Sequence, residues 1–572
     1  MTALRTRSAT VWHALLQHAE QGLDAPTITL IPEPGRQHSL RVDTLVEHTQ
    51  RAAAHLAEHG VGHGDRVVLC LPTGQEFLTA FFATQLLGAM PTAISLPMRF
   101  GGAAGVEGQL KDLTGYLRPA AVITTTDVIQ ALPHLVDTCL IDGEDLLARA
   151  HRADAPQHPL RRPRSEDLAL IQCTSGSTGR PKGVMISHAN MAANCEQFTS
   201  AAGWTKADTT VNWVPLYHDM GLFTGLLFPL YVGADTVLMP PSRLLRHPAD
   251  WLRHISDHHG AVSAAPNFAF GYATARIRDE ELDGVDLSSW RISICGAEPV
   301  QPATMDRFFT RFARWHLPPT MPLPSYGMAE ASLIITTTRP QAALRFDSID
   351  RTRAAVDHHA VDVDPHSPHA LHIVDCGTPV AGTEIRIVDD TGTPLPEGRI
   401  GHIQFRGPSR TLGYFDLPEE TAQAIDGPGW WKTGDLGYLR EGGLRITGRS
   451  KDLVIIRGAN YFPSDFEQAA ETVPGVRLGA VIALGHRRPD ADSEELHLLV
   501  ETELDRHQHE ALRQAVRSSV TSRTGVTPAQ VHLLPKKSIP KTTSGKVQRA
   551  KARRLFLDPT PHTEADARPA AS

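Results

Sequence analysis

The chain has 572 residues, enough for roughly two to four domains of ordinary size. Hydrophobic residues make up 41% and charged residues 21%, a balance that supports a sizeable core and excludes a disordered chain. The net charge of −7 argues against a broad basic surface for nucleic acid. The six cysteines show no CxxC pair and no zinc-ligand spacing, so neither a disulfide framework nor a structural metal is expected, and a reducing, cytoplasmic setting follows. The longest mostly apolar run, Gly221 to Ala234, is shorter than the roughly 20 residues of a spanning helix.

From Asp43 to Cys295 the chain repeats one pattern: a helical stretch, a short apolar run, then a turn. Asp43 to Glu58 has helical periodicity, with Asp43 as candidate N-cap and Gly60 placed to end it. The apolar runs RVVLCL at 66–71, PTAISL, AVITT at 121–125, LALIQC at 168–173, TVLM at 236–239, AVSAA at 261–265 and RISIC at 291–295 follow. Short apolar runs separated by helices predict an α/β fold with parallel strands covered on both faces.

From Cys376 the runs IRIVDD, RIGHIQFRG and LRITGRSKDLVII, joined by Gly- and Asp-rich turns, predict antiparallel β structure. A smaller α+β unit follows, with helices near 464–472 and 506–522 and strands at 478–484 and 496–502. The expected division is a large domain over 1–448, a small one over 449–556 and a tail over 557–572. Three stretches, 151–165, 339–370 and the Pro/Ala tail after Leu557, are expected to be poorly packed.

Thr174-Ser175-Gly176-Ser177-Thr178-Gly179, with Lys182 three residues on, follows LALIQC directly. Glycines and hydroxyls there let backbone N–H groups approach phosphate oxygens closely, and Lys182 adds a positive charge. A P-loop is excluded, because Gly183 rather than Ser or Thr follows the lysine. The chain has ten lysines, and four of them fall between Lys536 and Lys546.

The string TSGSTGRPKG resembles the phosphate-binding loop of the adenylate-forming superfamily, which comprises acyl- and aryl-CoA synthetases, nonribosomal adenylation domains and luciferases. The motifs that follow keep that superfamily's order. By resemblance, Gly296, Ala297 and Glu298 of GAEPV lie against the adenine. Ser325, Tyr326, Gly327, Met328 and Ala329 form the adenine-holding segment, with Tyr326 beside the ring. Glu330 is the implied Mg²⁺ ligand, Asp435 the acceptor for the ribose hydroxyls, and Arg449 a second ribose or phosphate contact. Lys546, in IPKTTSGKVQR, is the lysine that enters the active site from the small domain, and Lys451 is the hinge on which that domain swings. The implied cofactors are ATP and Mg²⁺.

The segments NWVPLYHDMGL and APNFAFGY are largely apolar with aromatic walls, which suits an alkyl chain. Candidate acyl-site residues are Trp213, Tyr217, Phe223, Asn267 and Phe268, with His218 either flanking the carboxylate or merely packing. The wording of VPLYHDMGL, APNFAF, GAEPV, YGMAEAS and RSKDLVIIRGANYFPSDFE is most similar to the fatty acyl-AMP ligases. These load fatty acids onto phosphopantetheine carrier proteins of polyketide and peptide synthetases without using CoA.

About 45 residues separate Glu330 from Cys376, longer than a typical connection. LRFDSIDR resembles the start of the insertion that sets this branch apart from acyl-CoA synthetases, and it places the insertion at about 339–370. Cys295, Ala459 and the pair Phe223-Thr224 depart from the branch's usual residues, exchanges expected to shorten or redirect the acyl pocket. The histidines at 358, 359, 366 and 369 fit no standard ligand set and are expected on a solvated loop.

The resemblance implies activation of a fatty acid as its adenylate, then transfer to a separate carrier protein. The alternatives are transfer to CoA and, without catalysis, an interaction scaffold. Arg523 and Lys537 are candidate docking positions for an acidic carrier.

Overall fold

The computed structural model describes residues 6–96, 102–131, 138–159, 163–174, 181–457, 459–488, 493–541 and 547–558. β-branched and other apolar residues run continuously through Arg66–Cys70, Met90–Ala93, Ala121–Thr124 and Cys139–Asp142, which pair in parallel as a four-stranded sheet. Burial on both faces of the first three explains their lack of polar alternation, while Cys139–Asp142 is a half-buried edge strand. A nine-stranded sheet forms the second layer system, its centre built from Thr209–Asn212, Gly260–Ala265, Ile292–Cys295 and Pro322–Gly327 in parallel register. Helices Asn267–Arg276 and Pro302–Phe312 pack against each other beside these strands, and both follow a strand's C-terminal end. Loops at such ends of parallel strands are where α/β sheets gather their ligand sites.

The predicted α/β architecture with its small C-terminal unit is observed, as are the antiparallel strands Glu384–Val388, Gly401–Arg406, Trp430–Arg440 and Gly443–Arg449. Three details differ. Leu168–Thr174 is not a parallel strand: it pairs antiparallel with Lys182–Ser187, which pairs in turn with Gly413–Tyr414. The helix expected to be capped by Asp43 spans Val42–Glu58 with Arg41 at the cap position, and Asp43 sits in the first turn, paired with the Arg41 guanidinium.

The third difference is the segment 339–370, which carries regular structure and a small buried cluster although most of its residues are half-buried or exposed. Phe346–Asp350 pairs antiparallel with Ala370–Val374, and the short helix Arg351–Val356 leaves the first of these strands. Ile349, Ala354 and Leu371 are buried in one cluster with Ile400, Leu436, Tyr438 and Phe462. The insertion thus has its own apolar face, which its abundance of His and Asp conceals in the composition.

Beyond Arg449 a turn at Ser450–Asp452 leads to a separate hydrophobic cluster that gathers Val454, Phe466, Val481, Leu498, Val500, Val516 and Val520. Its sheet is Val476–His486, Glu495–Thr502 and Gln530–Leu534, backed by helices Pro463–Glu471 and His509–Thr524. Among the described residues no helix is long and apolar enough to cross a membrane.

Candidate active site

Three groups of side chains converge at the strand ends. The first is built on the small antiparallel ribbon. Thr174 and Lys182 are cross-strand partners, and the Thr174 hydroxyl donates to the Lys182 carbonyl at 3.4 Å, joining the two strands next to the Gly- and Ser-rich segment. Residues 175–180, which carry Ser175, Gly176, Ser177, Thr178 and Gly179, lie outside the described residues. Tyr414, paired with Val184 on the third strand, lies with its ring 4.5 Å from the Lys182 ammonium. The Tyr414 hydroxyl donates to Oε1 of Glu330 at 2.7 Å. One aromatic residue therefore bridges the loop lysine and the buried carboxylate.

Glu330 is 7% exposed, in the 3₁₀ turn Ala329–Ala331 that follows Pro322–Gly327. Burial pushes its carboxyl above the usual range, and Asp219 adds to the shift, while the Tyr414 hydrogen bond and Arg449 oppose it. The turn exists because Gly327 has no Cβ: one there would lie 1.7 Å from the Leu333 carbonyl oxygen. Met328 N–H donates to that carbonyl at 2.8 Å, closing the loop. Ser325 is tied to Thr337 across the neighbouring strand at 2.9 Å.

The second group is a chain of three residues, Tyr326 and Asp435 buried and Arg449 exposed. Tyr326 donates its hydroxyl to Asp435 Oδ2 at 2.7 Å, and Arg449 Nε lies 3.0 Å from Asp435 Oδ1. Asp435 and Arg449 face each other across the antiparallel pair Trp430–Arg440 and Gly443–Arg449, so register alone brings them together. Burial and the Asp435 charge push the Tyr326 hydroxyl well above its ordinary value. The carboxylate accepts from Tyr326, is ion-paired with Arg449 and keeps further lone-pair positions for hydroxyl donors.

The third group frames a cleft. Glu298 Oε1 accepts from Phe268 N–H at 2.6 Å, and Asn267 Oδ1 accepts from Gln301 N–H at 2.9 Å, so the 296–301 loop is stitched to the start of the helix Asn267–Arg276. Ala297 holds a left-handed conformation at φ +67°, a costly backbone state that clusters at ligand sites. A Cβ at Gly296 would lie 3.0 Å from the Ser325 carbonyl oxygen, so the 296–301 loop and the strand Pro322–Gly327 approach closely.

Trp213, His218, Phe268, Ala297 and Glu298 line the cleft. His218 caps the short helix Asp219–Leu222 through Met220 N–H, and its Nδ1 lies 2.7 Å from Asp219 Oδ1. Tyr217 is held through its carbonyl by Gln172 Nε2 at 3.0 Å. Phe223 is fully buried against the Phe228 ring in a π-helical turn and does not line the cleft. Burial pushes the thiols of Cys173 and Cys295 up to about 12, so neither is a nucleophile at neutral pH.

Lys546 lies outside the described residues, and Lys451 sits in the Ser450–Asp452 turn between the large and small units. Tyr414 is the site residue that motif order does not single out. Its only sequence signal is an aromatic residue after glycine in TLGYFD. Among the described residues, no group of three or more His, Cys, Asp or Glu side chains is arranged to hold a metal by itself.

The family described as AMP-binding enzyme matches residues 16–415. A Mycobacterium marinum protein named long-chain-fatty-acid–AMP ligase FadD26 is 33% identical, with 87% of this chain and 88% of the relative covered. A Mycobacterium tuberculosis protein that carries the name fatty-acid–CoA ligase fadD25 is also 33% identical, with 91% and 92% covered. Among solved structures, one from a study of fatty acyl-adenylate ligases from E. coli and L. pneumophila superposes with a TM-score of 0.89 at 31% identity, covering 96% of this chain and 99% of that one. The chain belongs to the AMP-binding enzyme family and is an adenylating ligase.

Proposed function

We propose that the enzyme activates a fatty acid as its acyl-adenylate, releasing pyrophosphate, and then passes the acyl group to the phosphopantetheine thiol of a separate carrier protein. In the first step a carboxylate oxygen bonds to the α-phosphorus of ATP as the bond to pyrophosphate breaks. In the second a thiol sulfur bonds to the acyl carbon and AMP leaves. The attacking acid is ionised at neutral pH, so the site needs no general base. It must instead bring anions together and hold developing charge.

The residues present fit ATP and Mg²⁺. Asp435 and Arg449 would take the ribose, and the close approach of Gly296 to Ser325 suits a flat base lying against the 296–298 loop. Glu330 is a buried carboxylate whose hydrogen bond comes from a neutral phenol, a state that a hard divalent cation would stabilise. Mg²⁺ would supply charge neutralisation to the phosphates. Lys182, fixed over Tyr414, would add a cation at the loop, and Lys546 a second one from the small domain.

The observation that favours a carrier over CoA is the anchoring of the insertion on two sides. Asp347 pairs with Arg440 at 3.1 Å and Arg445 at 3.3 Å and accepts from the Tyr438 hydroxyl at 2.8 Å, all on the large unit. Arg351 pairs with Asp465 and donates to the Arg523 carbonyl, both on the small unit. A segment pinned to both units limits their relative travel, and it is the small unit whose swing would open the thiol-transfer face.

The test is intact-mass measurement of a phosphopantetheinylated carrier protein after incubation with enzyme, Mg-ATP and fatty acid. A mass gain equal to one acyl group is expected. No gain, with acyl-CoA formed in a parallel reaction, would assign CoA as the acceptor.

A further inference from the structure

The small sheet that carries Lys182 and Tyr414 departs from a regular ladder at one point. Gly183 and Phe415, the residues that follow them, stand opposite each other next to the pair Val184 and Tyr414, and Phe415 N–H donates to the Gly183 carbonyl at 2.8 Å. A regular antiparallel pair would return a second bond from Gly183 N–H to the Phe415 carbonyl. Here that return runs through Tyr116, on the helix Gly102–Leu117. Its hydroxyl accepts from Gly183 N–H at 3.2 Å and donates to the Phe415 carbonyl at 2.6 Å. One phenol oxygen therefore stands between two strands whose bonded residues lie 67 and 299 positions from it in sequence.

The surroundings hold the phenol in this place. A Cβ at Gly183 would lie 2.7 Å from the Ile171 side chain and 3.4 Å from the Tyr116 hydroxyl, so glycine leaves the room that the hydroxyl uses. The Tyr116 and Phe415 rings meet edge-on, centroids 6.1 Å apart at 77°. Arg118 pairs with Asp416 at 2.7 Å. The Arg66 guanidinium donates to the Leu117 carbonyl at 2.9 Å and stands 5.7 Å from the Phe415 ring centroid. Arg118 and Asp416 both take left-handed backbone conformations, at φ +46° and +52°, which persist where the surroundings fix them. The helix end and the strand end are thus joined at three points, and of these the Tyr116 contact lies within the ladder itself.

The residues immediately before the bridged pair are the two that meet at the site. The Lys182 ammonium lies 4.5 Å from the Tyr414 ring, and the Tyr414 hydroxyl reaches Glu330 at 2.7 Å. The spacing between the Gly183 and Phe415 backbones sets where both side chains start. Without the hydroxyl, Gly183 N–H either closes directly on the Phe415 carbonyl or both groups lose their partner. In either case the strand ends are no longer held at the bridged spacing. We infer that Tyr116 is a positioning residue for adenylation, a hydroxyl clip that sets the spacing of the Lys182 and Tyr414 strands and so holds the Lys182 cation at the ATP phosphates. The inference rests on the placing of Lys182 in the reading above and adds a residue that acts through that lysine.

The test is steady-state pyrophosphate release with Mg-ATP and whichever fatty acid, from hexanoate to stearate, the unaltered enzyme turns over fastest. It is run on Tyr116→Phe, Tyr116→Met, Lys182→Ala and each Tyr116 change combined with Lys182→Ala, all checked by thermal unfolding. At least one folded Tyr116 variant should lose about tenfold or more in kcat/KM for ATP, while its KM for the acid stays within about twofold. In the Lys182→Ala background the same change should cost about threefold or less, because the clip then has no cation to place. An unchanged kcat/KM for ATP, a loss that multiplies in full with that of Lys182→Ala, or an equal rise in KM for the acid would overturn the inference while leaving adenylation intact. Failure of both Tyr116 variants to fold would make the residue a structural one and overturn it as well. Full activity in Lys182→Ala would overturn the placing of that lysine and this inference with it.

Discussion

Tyr414 stands between Lys182 and Glu330, its ring face beside the ammonium and its hydroxyl on the carboxylate. Removing the hydroxyl alone leaves the ring contact in place and takes from Glu330 the donor that stabilises its ionised form. Tyr414→Phe should lower pyrophosphate-release activity at limiting Mg²⁺ by about tenfold or more, as loss of a ligand's orienting partner does. It should also cost about 1–3 kcal/mol in urea unfolding, the range for a lost buried hydrogen bond. Activity and midpoint both unchanged would mean that the hydroxyl orients nothing. The Tyr326, Asp435 and Arg449 chain was legible as separate motifs, whereas the Tyr326-to-Asp435 hydrogen bond was not. Spacing along the chain carries no information on which side chains meet across a fold.

At the scale of elements, the short strand-and-turn pieces around the site depend on glycines more than on propensity. A Cβ at position 327 would lie 1.7 Å from the Leu333 carbonyl oxygen, and no rotamer relieves a backbone clash. Gly327→Ala should destabilise the protein by about 3 kcal/mol or more, read as a depressed unfolding temperature or loss of soluble protein. A variant that unfolds like the parent would show that the turn relaxes.

The parallel sheets were readable from apolar runs because both faces of each strand are buried. The pairing of Leu168–Thr174 was not, since an antiparallel strand buried on both sides gives the same run. The insertion's regular structure is hidden in the sequence for a different reason. Ile349, Ala354 and Leu371 are few and widely spaced among charged residues, yet the hairpin gathers them on one face.

At the scale of the molecule, the large and small units are joined by the buried Arg351–Asp465 pair, whose partners lie 114 residues apart in sequence. Arg351→Ala strands a buried carboxylate and should cost about 3–5 kcal/mol, while the apolar double variant Arg351→Met with Asp465→Leu should recover most of it. Equal losses in the single and double variants would contradict this account of the pair.

The fold also carries a pH dependence. Burial holds His48, His188 and His497 down to about 4, with His151 and Arg51 adding to the shift at His48 and His532 and His486 adding at His497. Their folded values lie below the unfolded 6.5, so between these limits the unfolded chain binds more protons. Stability is therefore fully present above that window and falls as pH drops through it toward 4. The unfolding temperature should decline from pH 7 to pH 5, less steeply in a His48→Gln, His497→Gln variant, and a flat profile in the parent would contradict the assignment.

We propose that this enzyme makes acyl-adenylate and does not hand the acyl group to CoA. It is tested by mass spectrometry of the products formed from Mg-ATP and a mixed set of fatty acids with CoA present. Acyl-adenylate accumulating without acyl-CoA is the predicted result. Acyl-CoA as the main product would contradict the claim and make the enzyme an acyl-CoA synthetase despite its anchored insertion.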